Sequence, residues 1–240
     1  MKVIVNALGY QGQSGGAGGA GVFLQYLVSR LAESCKVDVL VPQNSKAFTV
    51  RPRDVRFLEL PYLTGGTLMH LRDGPTVVLD PFGSLPCDDF PDELGLCVII
   101  HDLMHLEQPY YFVASEKEER SVGFARGLQR ADSVIVFSAD QARAVRRFFP
   151  GARPVVIPHL PYLTLQDAEP RTNLATLPAE LDNYVLFPAV KWPHKNHKTV
   201  VEAFDAYIRH TGSDLQLVMC GGACAESRFS YLPALDGLSP

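Results

Sequence analysis

Apolar residues recur along this chain in two alternating rhythms. Short β-branched runs, "KVIVNAL", "KVDVLVP", "TVVLD", "LCVIIHD", "DSVIVFS" and "RPVVIPH", are too brief for helices and predict buried strands. Between several of them lie stretches with helical spacing. "GVFLQYLVSRLAES" puts Val22, Leu24, Leu27, Val28 and Leu31 on a helical repeat. "EKEERSVGFARGLQRA" starts with the acidic residues that suit a helix N-terminus, and "SADQARAVRRFF" opens on Ser138, a ready N-cap. Apolar strands alternating with amphipathic helices predict an α/β fold, a Rossmann-like parallel sheet flanked by helices. In such sheets ligands gather at the carboxyl ends of the strands. The polar strand ends, His101 and Asp102 among them, are therefore where chemistry is expected.

The rhythm breaks in "LPYLTLQDAEPRTNLATLPAELDN", which is rich in Pro, Thr, Asn and Asp and reads as a linker. A βαβ pattern then resumes: strand "YVLFPAV", loop "KWPHKNH", helix "KTVVEAFDAYIRHTG", strand "LQLVMCGG". The expected organisation is an N-terminal domain over 1–166, a linker over 167–182 and a second domain over 183–240. One βαβ unit is too small to bury its own core, so the second domain is expected to be truncated.

Composition narrows the partners. The chain has 240 residues, 47% hydrophobic and 20% charged, with a formal net charge of -4, which is ordinary for a globular protein and disfavours nucleic acid. Arg143, Arg146 and Arg147 share one side of a helix and read as a solvated face. Cys35 and Cys97 sit in apolar runs as small core residues, and Cys220 and Cys224 lack the second pair a zinc site needs. A reducing, cytoplasmic location is expected, with peripheral membrane association left open. "MKVIVNAL" is too short and too β-branched for a signal peptide, and no apolar run reaches membrane-spanning length.

Three stretches carry candidate chemistry. In "GQSGGAGGAG", Gly16, Gly18 and Gly21 spell G-x-G-x-x-G. A dinucleotide fingerprint would begin directly after the first strand and place an acid at the end of the second. Here "GYQGQS" intervenes and the second strand ends Val41-Pro42-Gln43. The turn still aims backbone N–H groups and a helix N-terminus outward, so an anion site and a flexible turn both stay open. At His101, an imidazole beside the Asp102 carboxylate suits proton movement, or else is a satisfied strand-end histidine. H-D-x-x-H, with His105, resembles a zinc motif, but such a motif needs a helix under both histidines, whereas His101 ends a strand. No metal is expected. In "KWPHKNHK", Lys191, His194, Lys195, His197 and Lys198 crowd a strand-to-helix loop stiffened by Trp192 and Pro193, an arrangement suited to an anion.

Together these motifs resemble the GT-B glycosyltransferases, specifically the retaining family 4 group, over nearly the whole chain. "GGAGVFLQYL" is similar to that family's first strand-to-helix loop and "VIIHDLMHLEQPYYF" to its HD strand end. "ADSVIVFSADQARAVRRFFP" with "VVIPH" is similar to the close of its first domain, and "FPAVKWPHKNHKTVVEAF" with "LQLVMCGG" to the opening of its nucleotide-binding domain.

The resemblance implies transfer of a hexose from a nucleoside-diphosphate sugar to a hydroxyl of a saccharide or lipid-linked acceptor, with retention and without a cofactor. It implies catalytic roles for His101 and Asp102. It also implies that Gly18 and Gly19 lie against the donor diphosphate and that Lys195 pairs with its charge. Many relatives carry an Arg that aligns near Ala189, and Lys191 is the candidate substitute. The family's E-x7-E segment and its base pocket would fall beyond Pro240, so the chain alone is expected to be inactive and prone to self-association. Two alternatives remain: a non-catalytic or split-enzyme subunit that binds a sugar or a partner chain, and a metallohydrolase using His101, Asp102 and His105.

Overall fold

The computed structural model describes residues 1–9, 19–44, 48, 52, 54–158, 182–190 and 192–221. The chain divides into two compact units, Met1–Leu165 and Gln166–Pro240. The expected linker lies outside the described residues apart from Asp182.

The first unit runs β1 (Lys2–Asn6), α1 (Gly19–Ala32), β2 (Lys36–Pro42), β3 (Val55–Leu60), α2 (Gly65–Leu71), β4 (Thr76–Asp80), β5 (Gly95–Ile99), α3 (Met104–Glu107), α4 (Ala114–Arg130), β6 (Ser133–Val136), α5 (Ala139–Phe148) and β7 (Pro154–Val156). Its seven strands form one sheet in the order β3-β2-β1-β4-β5-β6-β7, every pair parallel. The α/β parallel sheet read from the sequence is thus observed. Winding reverses between β1 and β4, and that reversal opens a crevice at the carboxyl ends of the strands.

Period-two burial explains why both faces are dry. Ile4, Leu40, Val78, Leu96 and Val98 pack on one face with Leu68 of α2, Phe124 and Leu128 of α4, and Ala142 and Val145 of α5. Val3, Val5, Val37, Val39 and Ile99 pack on the other with Phe23, Leu24 and Val28 of α1. At about 25 cal/mol per Å² of apolar surface, this burial is the main force holding the sheet between its helices. Asp38, buried in mid-β2, is one of several buried polar residues. Burial pushes its carboxyl up, but hydrogen bonds from Arg56 and Lys2 outweigh that and hold it below the usual carboxylate range. Its distances are 2.9 Å to Arg56 Nε and 2.8 Å to Lys2 Nζ.

Two elements depart from the reading of the sequence. "PYLTGGTLMHLRDG", in which no element was read from the sequence, contains α2. Thr64 Oγ1 caps it by accepting from the Thr67 N–H at 3.1 Å, and Leu68 is fully buried. Paired glycines in its first turn are poor helix formers and mask the pattern. The other is β3, an edge strand in which charged residues interrupt the apolar ones.

One contact sets the position of α4. Gly83, in the loop after β4, has φ +77°, and a Cβ there would overlap Ile100 Cδ1. A Cβ at Gly127 of α4 would overlap the Gly83 carbonyl oxygen and come within 2.9 Å of the Ser84 carbonyl carbon. The helix therefore rests backbone to backbone on this loop. Beside it, His105 is 1% exposed, its ring edge-on to Phe124 at 5.1 Å. Neither of its nitrogens has a hydrogen-bond partner among the described residues. Burial, reinforced by the Arg120 charge and only partly opposed by Asp102, pushes its pKa down to about 4.

The second unit contains β8 (Tyr184–Pro188), α6 (His197–Thr211) and β9 (Gln216–Cys220), with β8 and β9 parallel. Gly212, at φ +62°, ends α6 by giving its N–H to the Ile208 carbonyl. Val185, Leu186 and Met219 remain 40–48% exposed.

Gly127→Ala should lower stability by about 1–3 kcal/mol through overpacking. Gly123→Ala, four residues earlier and only 3.7 Å from Ser84 Cβ, should be neutral or gain up to about 1 kcal/mol of helix propensity. Urea denaturation of both variants checks the contrast.

Because the folded pKa of His105 lies below the ordinary 6.5, its contribution to stability is complete above pH 6.5 and is lost as pH falls toward 4. His105→Phe should flatten the decline in unfolding free energy across that window by up to about 1.4 kcal/mol per pH unit. Unfolding curves of wild type and variant over the acid range measure the difference.

Candidate active site

The crevice is built from strand ends. At the end of β4, Asp80 is 1% exposed. Its Oδ2 accepts from Asn6 Nδ2 of β1 at 2.8 Å, and its Oδ1 accepts from the N–H groups of Phe82 at 2.9 Å and Ser84 at 3.1 Å. Burial raises its pKa, and these donors counter only part of that rise. The result is a tight turn that ties β1 to β4 where the winding reverses and sets Phe82 and Ser84 at the crevice.

His101 lies two residues past β5. Its ring is enclosed by three phenylalanines: Phe23 of α1, edge-on at 4.8 Å, Phe137 after β6 at 5.2 Å, and Phe82 at 6.3 Å. Its backbone carbonyl accepts from Gln141 Nε2 of α5. Asp102 is held separately. Its Oδ1 accepts from the Met104 N–H at 3.0 Å, opening α3, and from Arg120 Nη2 of α4 at 3.1 Å. Arg120 also lies over the rings of Phe112 and Phe124, at 5.2 and 5.9 Å, a placement that favours a cation.

These residues line a pocket of about 590 Å³, a size typical of small-molecule sites. Gly9, Phe82, Ser84, His101 and Asp102 come from strand ends, and Glu116, Glu119, Arg120, Gly123 and Phe124 from α4. Among the described lining residues Arg120 is the sole permanent cation, and Asp102 already engages it. The polar lining is rich in acceptors and suits a ligand that donates hydrogen bonds, such as a polyol.

Of the residues singled out in the sequence, His101 and Asp102 meet in this pocket. Gly19 opens α1, exposed, and among the described residues a Cβ on it would meet nothing within 4 Å. Gly18 and Lys191 lie outside the described residues. Lys195 belongs to the second unit, exposed at the end of a 3₁₀ turn, Pro193–Lys195, and makes no ion pair among the described residues. Asn196, at φ +53°, follows and opens α6 without a side-chain cap. In the loop, Trp192 stacks on His194 at 6.3 Å, and His197 packs edge-on to Phe187 at 5.1 Å. Lys198 pairs instead with Glu202 at 3.6 Å.

His105, third in the metal-site alternative, packs into the core and does not line the pocket. The helix there begins only at Met104, so His101 and His105 do not share one helical face. Among the described residues no group of three His, Cys, Asp or Glu side chains is placed to hold a metal ion, and no helix is long and apolar enough to cross a membrane. The reading of the sequence missed Arg120, Glu116, Glu119 and Gln141. Only Gln141 left a local trace, the spacing Ser138-x-x-Gln141 of a capping box.

No family model matches the chain, and no curated protein matches it. Among solved structures, one similar to it is UGT89C1 of Arabidopsis thaliana in complex with UDP-L-rhamnose. It is 15% identical, with a TM-score of 0.48, over 92% of this chain and 65% of that one. This chain therefore spans less than two thirds of that protein's length, and a likeness so distant transfers neither activity nor substrate.

Proposed function

We propose that the chain is the first domain, with the opening of the second, of a GT-B glycosyltransferase of the retaining family 4 kind. It would transfer a hexose from a nucleoside-diphosphate sugar to a hydroxyl of a saccharide or lipid-linked acceptor. One observation carries this reading: His101 at a strand end, enclosed by Phe23, Phe82 and Phe137, lines a sugar-sized pocket at the carboxyl edge of a parallel sheet. The motif resemblance supports it independently.

In the reaction the bond from the sugar's anomeric carbon to the diphosphate breaks, and the acceptor oxygen bonds to the same carbon. The acceptor proton leaves with the diphosphate. His101 would contact the transferred sugar, and Asp102, held by Arg120, would keep the loop after β5 in place. The leaving diphosphate carries the developing charge. Lys195, the open N-terminus of α6, Gly18, Gly19 and Lys191 are the groups proposed to stabilise it, by preorganised donors and a fixed cation. The pocket's excess of acceptors, Glu116 and Glu119 included, would bind acceptor hydroxyls.

A second reading, a sugar-binding or split-enzyme subunit completed by another chain, is favoured by the exposure of Val185, Leu186 and Met219 on β8 and β9. Nucleotide or sugar binding that never leads to turnover, even with the rest of the second domain supplied and under any pairing of donor and acceptor, would support it over the first.

With the rest of the second domain supplied, His101→Ala should reduce transfer by about 100-fold or more at a temperature where the variant is still fully folded, the void among its three phenylalanine neighbours lowering the unfolding midpoint separately. Activity within a few-fold of wild type would remove His101 from catalysis.

Lys195→Ala should weaken UDP or GDP binding by roughly 1.5–3 kcal/mol, the worth of a charge-assisted contact. Calorimetric titration checks this, and equal affinities would end the phosphate role.

A further inference from the structure

The strands β5 and β6 part at the pocket, and one side chain spans the gap. Their ladder runs through Ile99↔Ile135, and the Ile100 N–H still reaches the Ile135 carbonyl at 2.9 Å. One more rung would give the Phe137 N–H to the Ile100 carbonyl. It goes instead to Gln141 Oε1 at 2.7 Å, while Gln141 Nε2 donates to the His101 carbonyl. The carboxamide acts as a spliced-in peptide group, accepting from one strand end and donating to the other. It carries the sheet one step further while holding β5 and β6 apart where His101 meets the pocket.

We propose that Gln141 is the positioning residue of His101. Helix capping alone does not require glutamine. Ser138 Oγ accepts from the Gln141 N–H at 3.1 Å, and at that third helical position a glutamate would accept from the Phe137 N–H equally well. Only an amide, or a protonated acid, can also donate to the His101 carbonyl. The donor is the part of the side chain that serves the pocket. The link to catalysis rests on the transferase reading; the link to His101 geometry does not.

Gln141→Glu separates the two duties. The variant keeps the cap and gains a favourable charge at the helix N-terminus, so its unfolding midpoint should match wild type. Near neutral pH and above, its carboxylate faces the His101 carbonyl without a proton to give. There, with the rest of the second domain supplied, kcat should fall roughly 10-fold with KM little changed, through one lost hydrogen bond and an added repulsion. Acidification protonates the carboxyl and restores the donor, so the ratio of variant to wild type should recover as pH falls into the ordinary glutamate range, toward about 4. Gln141→Leu should be impaired at every pH. In parallel, the His101 imidazole C–H resonances should move in Gln141→Glu at about pH 8 and return at about pH 4, relative to wild type at each pH.

Unchanged His101 resonances at the higher pH, a deficit independent of pH, or a large loss of stability in Gln141→Glu would each overturn the proposal. If no sugar is transferred even with the rest of the second domain supplied, the transferase reading fails, and the resonances alone decide the role of Gln141.

Discussion

Much of the first unit's working edge depends on a single buried carboxylate. Asp80 sits where the winding of the sheet reverses, and its oxygens take donors from both sides of the reversal. The turn it fixes carries Gly83, whose φ of +77° allows the chain to pass beneath α4. Gly127 then lets that helix close on the turn. Arg120, Glu116 and Glu119 ride on the same helix, so the wall of the pocket takes its position from a turn tens of residues earlier in the chain. A buried acid raised by desolvation and steadied by several donors is costly to disturb, because removing any one donor leaves the carboxylate under-satisfied.

The parts of this architecture legible in the sequence were those whose signal is local. Strands buried on both faces are continuous apolar runs, and β1, β2, β4 and β5 could be read that way. His101 could be found because it follows such a run. α2 was hidden by its glycine start, and β3 by the mixed character of an edge strand. The site was only half visible for a different reason. Arg120 meets Asp102 across 18 residues of chain, and Gln141 meets the His101 carbonyl across 40. Nothing in a local pattern marks such pairs. Arg120 looks like one more charge on a solvated helix, and Gln141 like an ordinary cap. Gly127 reads as a weak point in a helix, although its bareness is what brings that helix into contact.

The two units differ in electrical character. The pocket of the first is lined by carboxylates, with its one described cation already engaged. The loop before α6 in the second is basic, and Lys195 is left without a carboxylate partner among the described residues. A wall of acceptors favours hydroxyl-bearing ligands, and a basic loop at a helix N-terminus favours anions. That division matches the two halves of the proposed reaction, a polyol acceptor and a diphosphate-bearing donor.

Trp192 is the only tryptophan in the chain, and it lies in the basic loop, stacked on His194. Light absorbed at the red edge of the protein spectrum therefore excites one indole, three residues from Lys195. Its emission reports the surroundings of that loop and of its stacking partner His194. The loop thus carries its own optical reporter, with no label to attach and no competing chromophore to subtract.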